Sequence, residues 1–133
     1  MAVTRTPTDV GEDFVDALAA KDFDRLADCL APDVDFHAVV PGTGSFRERA
    51  GADETANQFR LWFGECDPLD VLDSSVTPVV DKLRIAYRLA AFEDGEWNVV
   101  EQQAYAKVGA RGIEKLDLAC SGFMPVVSDP RSS

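Results

Sequence analysis

The chain has 133 residues, enough for one domain with a substantial core and too few for two. Its 16 Asp and 8 Glu outnumber its 9 Arg and 4 Lys, giving a net charge of −11. That field repels nucleic-acid phosphates and anionic lipids, so we expect no nucleic acid and no membrane as partners. Dense carboxylates also suit a salt-rich cytoplasm, although the codon usage of a GC-rich genome would give the same bias.

Three cysteines and one histidine limit the chemistry and the compartment. Cys29, Cys66 and Cys120 are odd in number and far apart, which predicts buried, reduced thiols and no metal site. No stretch approaches the roughly 20 apolar residues of a membrane span, and the N-terminal residues lack the apolar core of a signal peptide. These features predict a cytoplasmic protein.

Three helices are predicted. Thr6 and Pro7 start the first, whose apolar stripe recurs at i, i+4, i+7 and i+8 as Val10, Phe14, Ala17 and Leu18. Asp22 caps a short second helix, which Pro32 is expected to end. Residues 52–63 form the third, with Trp62 beside an apolar stripe of Ala52, Ala56, Phe59 and Phe63.

Alternating polar and apolar residues predict the strands. They cover residues 34–40, 69–76, 82–92, 97–108 and 113–123, with turns at 41–44, 94–95 and 109–112. The order predicts a single α+β domain, residues 1–133, with a core of about 8–126 and a frayed tail at 127–133. We expect a cone-shaped, curved antiparallel sheet to wrap around the three helices and to leave a pocket at its mouth.

The strand "EWNVVEQQAYAKV" (96–108) leaves two assignments of its faces open. One face carries Trp97, Val99, Glu101, Gln103 and Tyr105, and the other carries Gln102, Ala104, Ala106 and Val108. If the larger face points inward, its polar groups line the pocket. If it points outward, those groups form a polar sheet-to-sheet dimer surface and Gln102 lies in the pocket. The large rings favour the first assignment, and the small residues favour the second.

The entry segment "DALAAKDFDRLADCLAPDVDFHAVVPG" (16–42) and the closing segment "WNVVEQQAYAKVGARGIEKLDLACSGFMP" (97–125) resemble the nuclear transport factor 2-like superfamily, and within it the SnoaL-like group. The ending "CSGF" resembles that of a bacterial and archaeal subset. The resemblance implies a cystatin-like α+β barrel, a homodimer formed through the sheet, and a small apolar ligand bound without a cofactor.

The same resemblance argues against one reaction that members of the superfamily catalyse. Ketosteroid isomerases of the superfamily use a tyrosine on the first helix, an aspartate base on the first strand and a neutral acid on the penultimate strand. The matching positions here hold Phe14, Ala38, and Gln103 or Ala104. That isomerase chemistry is therefore not expected. The Asp–Arg–Asp constellation of the epoxide hydrolases is not evident either.

The candidate catalytic residues are those that could move a proton: His37, Glu101 and Tyr105. A histidine such as His37 can serve as a general acid or base, but a half-exposed strand histidine or an interface histidine is an equally ordinary role. Glu101 could instead pair with Arg84 or Arg88. The residues predicted to contact ligand are Phe14, Trp62, Tyr87, Gln103 and Cys120. The two functions left open are cofactor-free isomerisation, cyclisation or dehydration, and a dimeric binding or assembly module without turnover.

Overall fold

A computed structural model of the chain describes residues 5–42 and 46–131. The helices are α1 (Pro7–Ala19), α2 (Phe23–Asp28) and α3 (Ala52–Phe63). The strands are β1 (Leu30–Val39), β2 (Phe46–Ala50), β3 (Leu69–Val79), β4 (Lys82–Glu93), β5 (Glu96–Gly109), β6 (Gly112–Cys120) and β7 (Met124–Val126). Residues 43 and 44 of the predicted turn lie outside the described residues.

The helix starts follow the sequence signals, whereas one helix end does not. Thr6 and Asp9 form a reciprocal capping box on α1, and the Asp22 side chain caps α2. However, α2 ends at Asp28, so Pro32 is not its stop and lies within β1 instead. A proline disfavours the helical conformation of the residue before it, which suits an extended chain here.

The sheet runs in the order β2-β1-β6-β5-β4-β3, and β7 pairs with β5. Strands β3 to β6 form the predicted antiparallel meander, while β1 and β6 run parallel. The result is a curved, unclosed and mostly antiparallel sheet packed on helices. The predicted α+β class is confirmed.

The short strand β2 is absent from the sequence prediction. Its residues Arg47, Glu48 and Arg49 are consecutive charges, and it pairs only with β1 at the edge of the sheet. Charged side chains are typical of edge strands, because they discourage pairing with another chain. Apolar alternation therefore cannot reveal this element.

The core lies between the helices and one side of the sheet, which we call the interior face. The predicted stripe of α1 is buried, as are Ala56, Phe59 and Phe63 of α3. The interior face contributes Phe36 from β1, and from the meander it contributes Leu83, Ile85, Leu89, Val100, Ala104, Ala106, Leu116 and Leu118. Among the described residues, no helix is long and apolar enough to cross a membrane.

Within the segment predicted to be a frayed tail from residue 127, Arg131 contacts strands β3 and β5. The Arg131 guanidinium lies 2.7 Å from carboxylate oxygens of both Asp70 and Asp129. It also stacks over the Trp97 ring, 4.7 Å from its centroid. This contact covers one face of a tryptophan that points away from the core. Residues 132–133 lie outside the described part of the chain.

Candidate ligand site on the interior face

Aromatic rings fill the space that the sequence predicted to be an open conical pocket. Six rings form what we call the aromatic cluster: Phe14, Phe36, Phe59, Trp62, Phe63 and Phe123. Successive rings lie with their centroids 5.3 to 6.3 Å apart. The expectation of an unfilled cone is therefore wrong for the described residues, because α1, α3 and β1 each contribute phenylalanines to the interior.

Access to the aromatic cluster exists only where its members are partly exposed. Phe14, Phe36, Phe59 and Phe63 are fully buried, whereas Trp62 and Phe123 are half-buried. Phe14, predicted to contact ligand, instead packs edge-on against Phe59 at 5.4 Å. Trp62, also predicted, stands at the accessible side and stays a candidate. Phe123 was not predicted to contact ligand, since nothing in its local pattern places it in the interior.

A buried chain of hydrogen bonds crosses three neighbouring strands on the interior face. The Tyr87 hydroxyl on β4 donates to Gln102 Oε1 on β5 at 2.5 Å. Gln102 Nε2 donates to Cys120 Sγ on β6 at 3.2 Å, and Gly122 N–H donates to the same sulfur at 3.4 Å. The pairing explains the alignment, because Gln102 lies opposite both Tyr87 and Cys120. We call Tyr87, Gln102 and Cys120 the polar chain.

The Tyr87 hydroxyl of the polar chain is held in its protonated form. Burial raises the pKa of Tyr87 well above its usual value, and the neighbouring Cys120 acts in the same direction. The hydroxyl therefore stays protonated and can only donate a hydrogen bond or accept one. An amide, a phenol and a thiol can orient a ligand through hydrogen bonds.

The orientation of β5 is the reverse of the one that its large rings favour. Gln102, Ala104 and Ala106 are buried on the interior face, whereas Glu101, Gln103 and Tyr105 point outward. The expectation that these three line the pocket is wrong. Phenylalanines from the helices already fill the interior, so small side chains fit against them and larger ones do not.

The outward residues of β5 form a polar ladder with β4. Arg88 Nε donates to Glu101 Oε1 at 2.8 Å, which is the pairing considered as an alternative from the sequence. Arg84 donates to Gln103 Oε1 at 2.9 Å, and Tyr105 is 40% exposed. The two arginines, Glu101 and Gln103 line an outer groove of about 460 Å³ with Ser75, Ala119 and Ser121. The three residues of the polar chain, Tyr87, Gln102 and Cys120, also border this groove.

His37 lies on the outward side of β1, next to the edge strand. Its Nε2 is 2.9 Å from Asp35 Oδ1 and its Nδ1 is 3.6 Å from Glu48 Oε1. These residues line a second groove, of about 800 Å³, together with Asn57 and Arg60 of α3. The structure therefore does not bring His37 together with the polar chain. Within the described ranges, no group of three or more His, Cys, Asp or Glu is placed to hold a metal ion.

Two buried oxygens of α3 lack a hydrogen-bond partner among the described residues: Thr55 Oγ1 and Gln58 Oε1. Their residues are 0% and 3% exposed. With Trp62 they follow the spacing i, i+3, i+7, which places all three on one side of the helix. Sequence reasoning missed this pair. Leaving such oxygens unpaired costs about 1–3 kcal/mol each, so a water or ligand partner is favoured.

Comparison with known proteins gives a family and a fold. A family model described as the SnoaL-like domain matches residues 12–115. No curated protein matches the chain.

Solved structures match over most of the chain. An NTF2-like protein of unknown function from Cytophaga hutchinsonii has a TM-score of 0.63 at 14% identity, covering 91% of this chain and 95% of that one. A protein from Catenulispora acidiphila with a ketosteroid isomerase-like fold, in complex with trimethylamine, has a TM-score of 0.68 at 11% sequence identity, and the match covers 85% of each chain. An LEH-like epoxide hydrolase of M. tuberculosis has a TM-score of 0.65 at 16% sequence identity, and the match covers 86% of this chain and 82% of that one. At these identities the likeness establishes the fold alone.

Proposed function

This chain belongs to the SnoaL-like domain family, and we propose that it binds a small, largely apolar molecule at the accessible side of the aromatic cluster, where Trp62 and Phe123 are half-buried. The polar chain would supply the hydrogen bonds to that molecule. The polar chain carries this proposal. A protein core does not need a phenol, an amide and a thiol side by side, because burying them costs free energy even when they are paired. Cys120 packs against the same core as the half-buried rings of Trp62 and Phe123, so these groups resemble the few convergent polar groups of a ligand pocket.

The unpartnered oxygens of Thr55 and Gln58 support the same place, since they lie on the Trp62 side of α3. The chemistry of the lining defines the ligand class. Rings favour a flat apolar body, and the Gln102 amide favours one acceptor such as a hydroxyl or carbonyl oxygen. The net charge of −11 disfavours anionic ligands.

Binding is tested with a neutral probe of this class, 2-naphthol, by isothermal titration. Gln102→Leu should weaken binding by about tenfold or more, as expected when a buried hydrogen bond to ligand is lost. Gln103→Leu is the matched control, because the neighbouring amide points outward, and it should leave the affinity unchanged. Equal effects of the two variants would contradict the proposed site.

The polar chain itself favours binding without turnover, because burial keeps the Tyr87 hydroxyl protonated and an amide is neither an acid nor a base near neutral pH. A second candidate function, cofactor-free acid–base chemistry, is favoured by one observation: His37 lies between two carboxylates in an open groove. A carboxylate partner can orient an imidazole for proton transfer. Loss of a discovered turnover in His37→Ala, with 2-naphthol binding intact, would support it; unchanged turnover would refute it.

We also propose that two copies associate through the outward ladder of Arg84, Arg88, Glu101, Gln103 and Tyr105. The ladder presents paired charges, an exposed phenol and a groove on one continuous sheet face. Glu101 and Tyr105, predicted as proton carriers, would then serve the interface. Tyr105→Glu should convert a dimer to a monomer in analytical ultracentrifugation. Leu61→Glu, at an exposed position on α3, should not.

The setting proposed for this protein is a reducing, salt-rich cytoplasm. Its three cysteines are free, and two of them are buried. Its carboxylates outnumber its cations by 24 to 13. Dense surface carboxylates repel one another, and dissolved salt screens that repulsion.

A further inference from the structure

The segment after Cys120 contains one residue more than the strand it faces. Cys120 lies opposite Gln102, and Met124 lies opposite Val99. The four residue steps from Cys120 to Met124 therefore lie opposite only three steps along β5, from Gln102 to Val99. Such an insertion is a β-bulge, in which one residue is left unpaired and the following side chain is re-aimed.

The bulge decides where Phe123 points. In an uninterrupted strand, side chains alternate, so an inward Cys120 would place residue 123 on the outer face. The extra residue reverses that alternation, and Phe123 faces the interior instead. Its ring lies 5.7 Å from that of Phe63, which is fully buried. Phe123 itself is half-buried, so it closes the accessible side of the aromatic cluster.

Local contacts hold the bulge in place. Ser121 N–H donates to the Glu101 carbonyl at 2.8 Å, and Ser121 Oγ accepts from Glu101 N–H at 2.9 Å. Gly122 has φ +80°, a conformation that favours glycine, and among the described residues its N–H donates to the weak acceptor Cys120 Sγ alone. Ser121 Oγ also donates to the Gly122 carbonyl at 2.8 Å, which leaves the contact between Gly122 N–H and the sulfur as the weakest of these bonds.

We propose that Ser121–Phe123 is a gate, in which the Phe123 ring swings outward to admit a flat apolar ligand and closes over it. This inference rests on the proposed function. Cys120 Sγ couples the gate to the ligand, since it accepts from both Gln102 Nε2 and Gly122 N–H. A ligand oxygen that takes the Gln102 amide removes one of the two donors from that sulfur. The gate would therefore control the entry of the ligand to the interior.

The gate is tested in a Trp97→Phe background, which leaves Trp62 as the sole tryptophan. Phe123→Ala removes the ring that covers the cluster, so acrylamide should quench Trp62 more strongly. Loss of one aromatic pair should also raise the open population, and with it the association rate of 2-naphthol, by about two- to tenfold. Phe92→Ala is the matched control, because that half-buried ring packs on residue 97 instead, and it should change neither quantity.

The outcomes separate the two proposals. An unchanged association rate in Phe123→Ala, with binding retained, overturns the gate and leaves the ligand site standing. Absence of 2-naphthol binding to every variant overturns the ligand site, and the gate with it. If Phe123→Ala does not fold, hydrogen exchange on the unmodified chain decides. If the gate exists, the N–H of Gly122 exchanges faster than that of Ala104, and 2-naphthol slows the exchange at Gly122. Exchange of both groups at the same global rate would overturn the gate.

Discussion

Replacing Tyr87 by Phe removes one hydroxyl and leaves the ring in place, so it isolates the bond to Gln102 Oε1. The amide oxygen is then buried without this donor, which should destabilise the fold by about 1–3 kcal/mol. Gln102→Leu leaves the Tyr87 hydroxyl unpaired and should cost about the same. In the double variant both partners are apolar, so its cost should be little more than that of either single change. The coupling energy is therefore expected to be about 1–3 kcal/mol.

Urea unfolding followed by circular dichroism measures all four forms of this cycle. A loss of 1 kcal/mol should lower the melting temperature by roughly 3–5 °C in a chain of this size. Gln103→Leu serves as the control, and its outward position predicts a change within about 0.5 kcal/mol. Strict additivity of the two single changes would show that hydroxyl and amide do not act as a pair, and would refute the polar chain.

Three further predictions concern the backbone, a thiol and the surface. Gly95→Ala should cost about 1–2 kcal/mol, because its φ of +78° is left-handed but no atom lies within 4 Å of the added carbon. Gly112→Ala should cost clearly more in the same urea assay, because its Cβ would also meet the Cys29 carbonyl oxygen at 2.7 Å; equal losses would contradict this packing. Burial raises the pKa of the Cys66 thiol from 9.0 to about 11, so its contribution to stability is present below pH 9.0 and lost as pH rises towards about 11. At about pH 8.5 iodoacetamide should therefore label the half-buried Cys120 before the buried Cys66, whose thiolate is disfavoured, and mass spectrometry showing the reverse order would contradict this prediction. Molar KCl should raise the melting temperature if the acidic surface is an adaptation to salt. A melting temperature that does not change with KCl would contradict that adaptation.

Periodicity predicts most of this fold because its elements are long and amphipathic. The stripe of α1, the stripe of α3 and the alternation of β4 each match a buried face. These patterns depend only on residues close in sequence. The charged edge strand β2 lacks such a pattern, so its existence depends on pairing with β1, which local alternation does not encode.

The orientation of β5 is decided by residues far away in sequence. The volume of Trp97 and Tyr105 favours burial, yet Trp97 finds cover on the outside beneath Arg131. Ala104 and Ala106 fit the interior only because the phenylalanines of other elements have already filled it. The alternation identified the two faces correctly, and it could not say which one the helices would cover.

The β-bulge after Cys120 cannot be predicted from the sequence either. "CSGF" stands out in the sequence as a motif, but its effect depends on the register of Cys120 and Met124 against β5. Counting that register requires the pairing partners. The physical role of Phe123 therefore emerges only from the assembled sheet.

The side-chain amide groups of Gln102 and Gln103 give the most direct test of the whole account. Both can be followed by ¹⁵N–¹H NMR while 2-naphthol is added to the intact chain. Binding at the interior site predicts that the Gln102 amide signals shift with the probe concentration, because that side chain lies on the interior face, while the Gln103 signals stay in place. Movement of the Gln103 signals alone would put the ligand on the outer ladder and contradict the interior site.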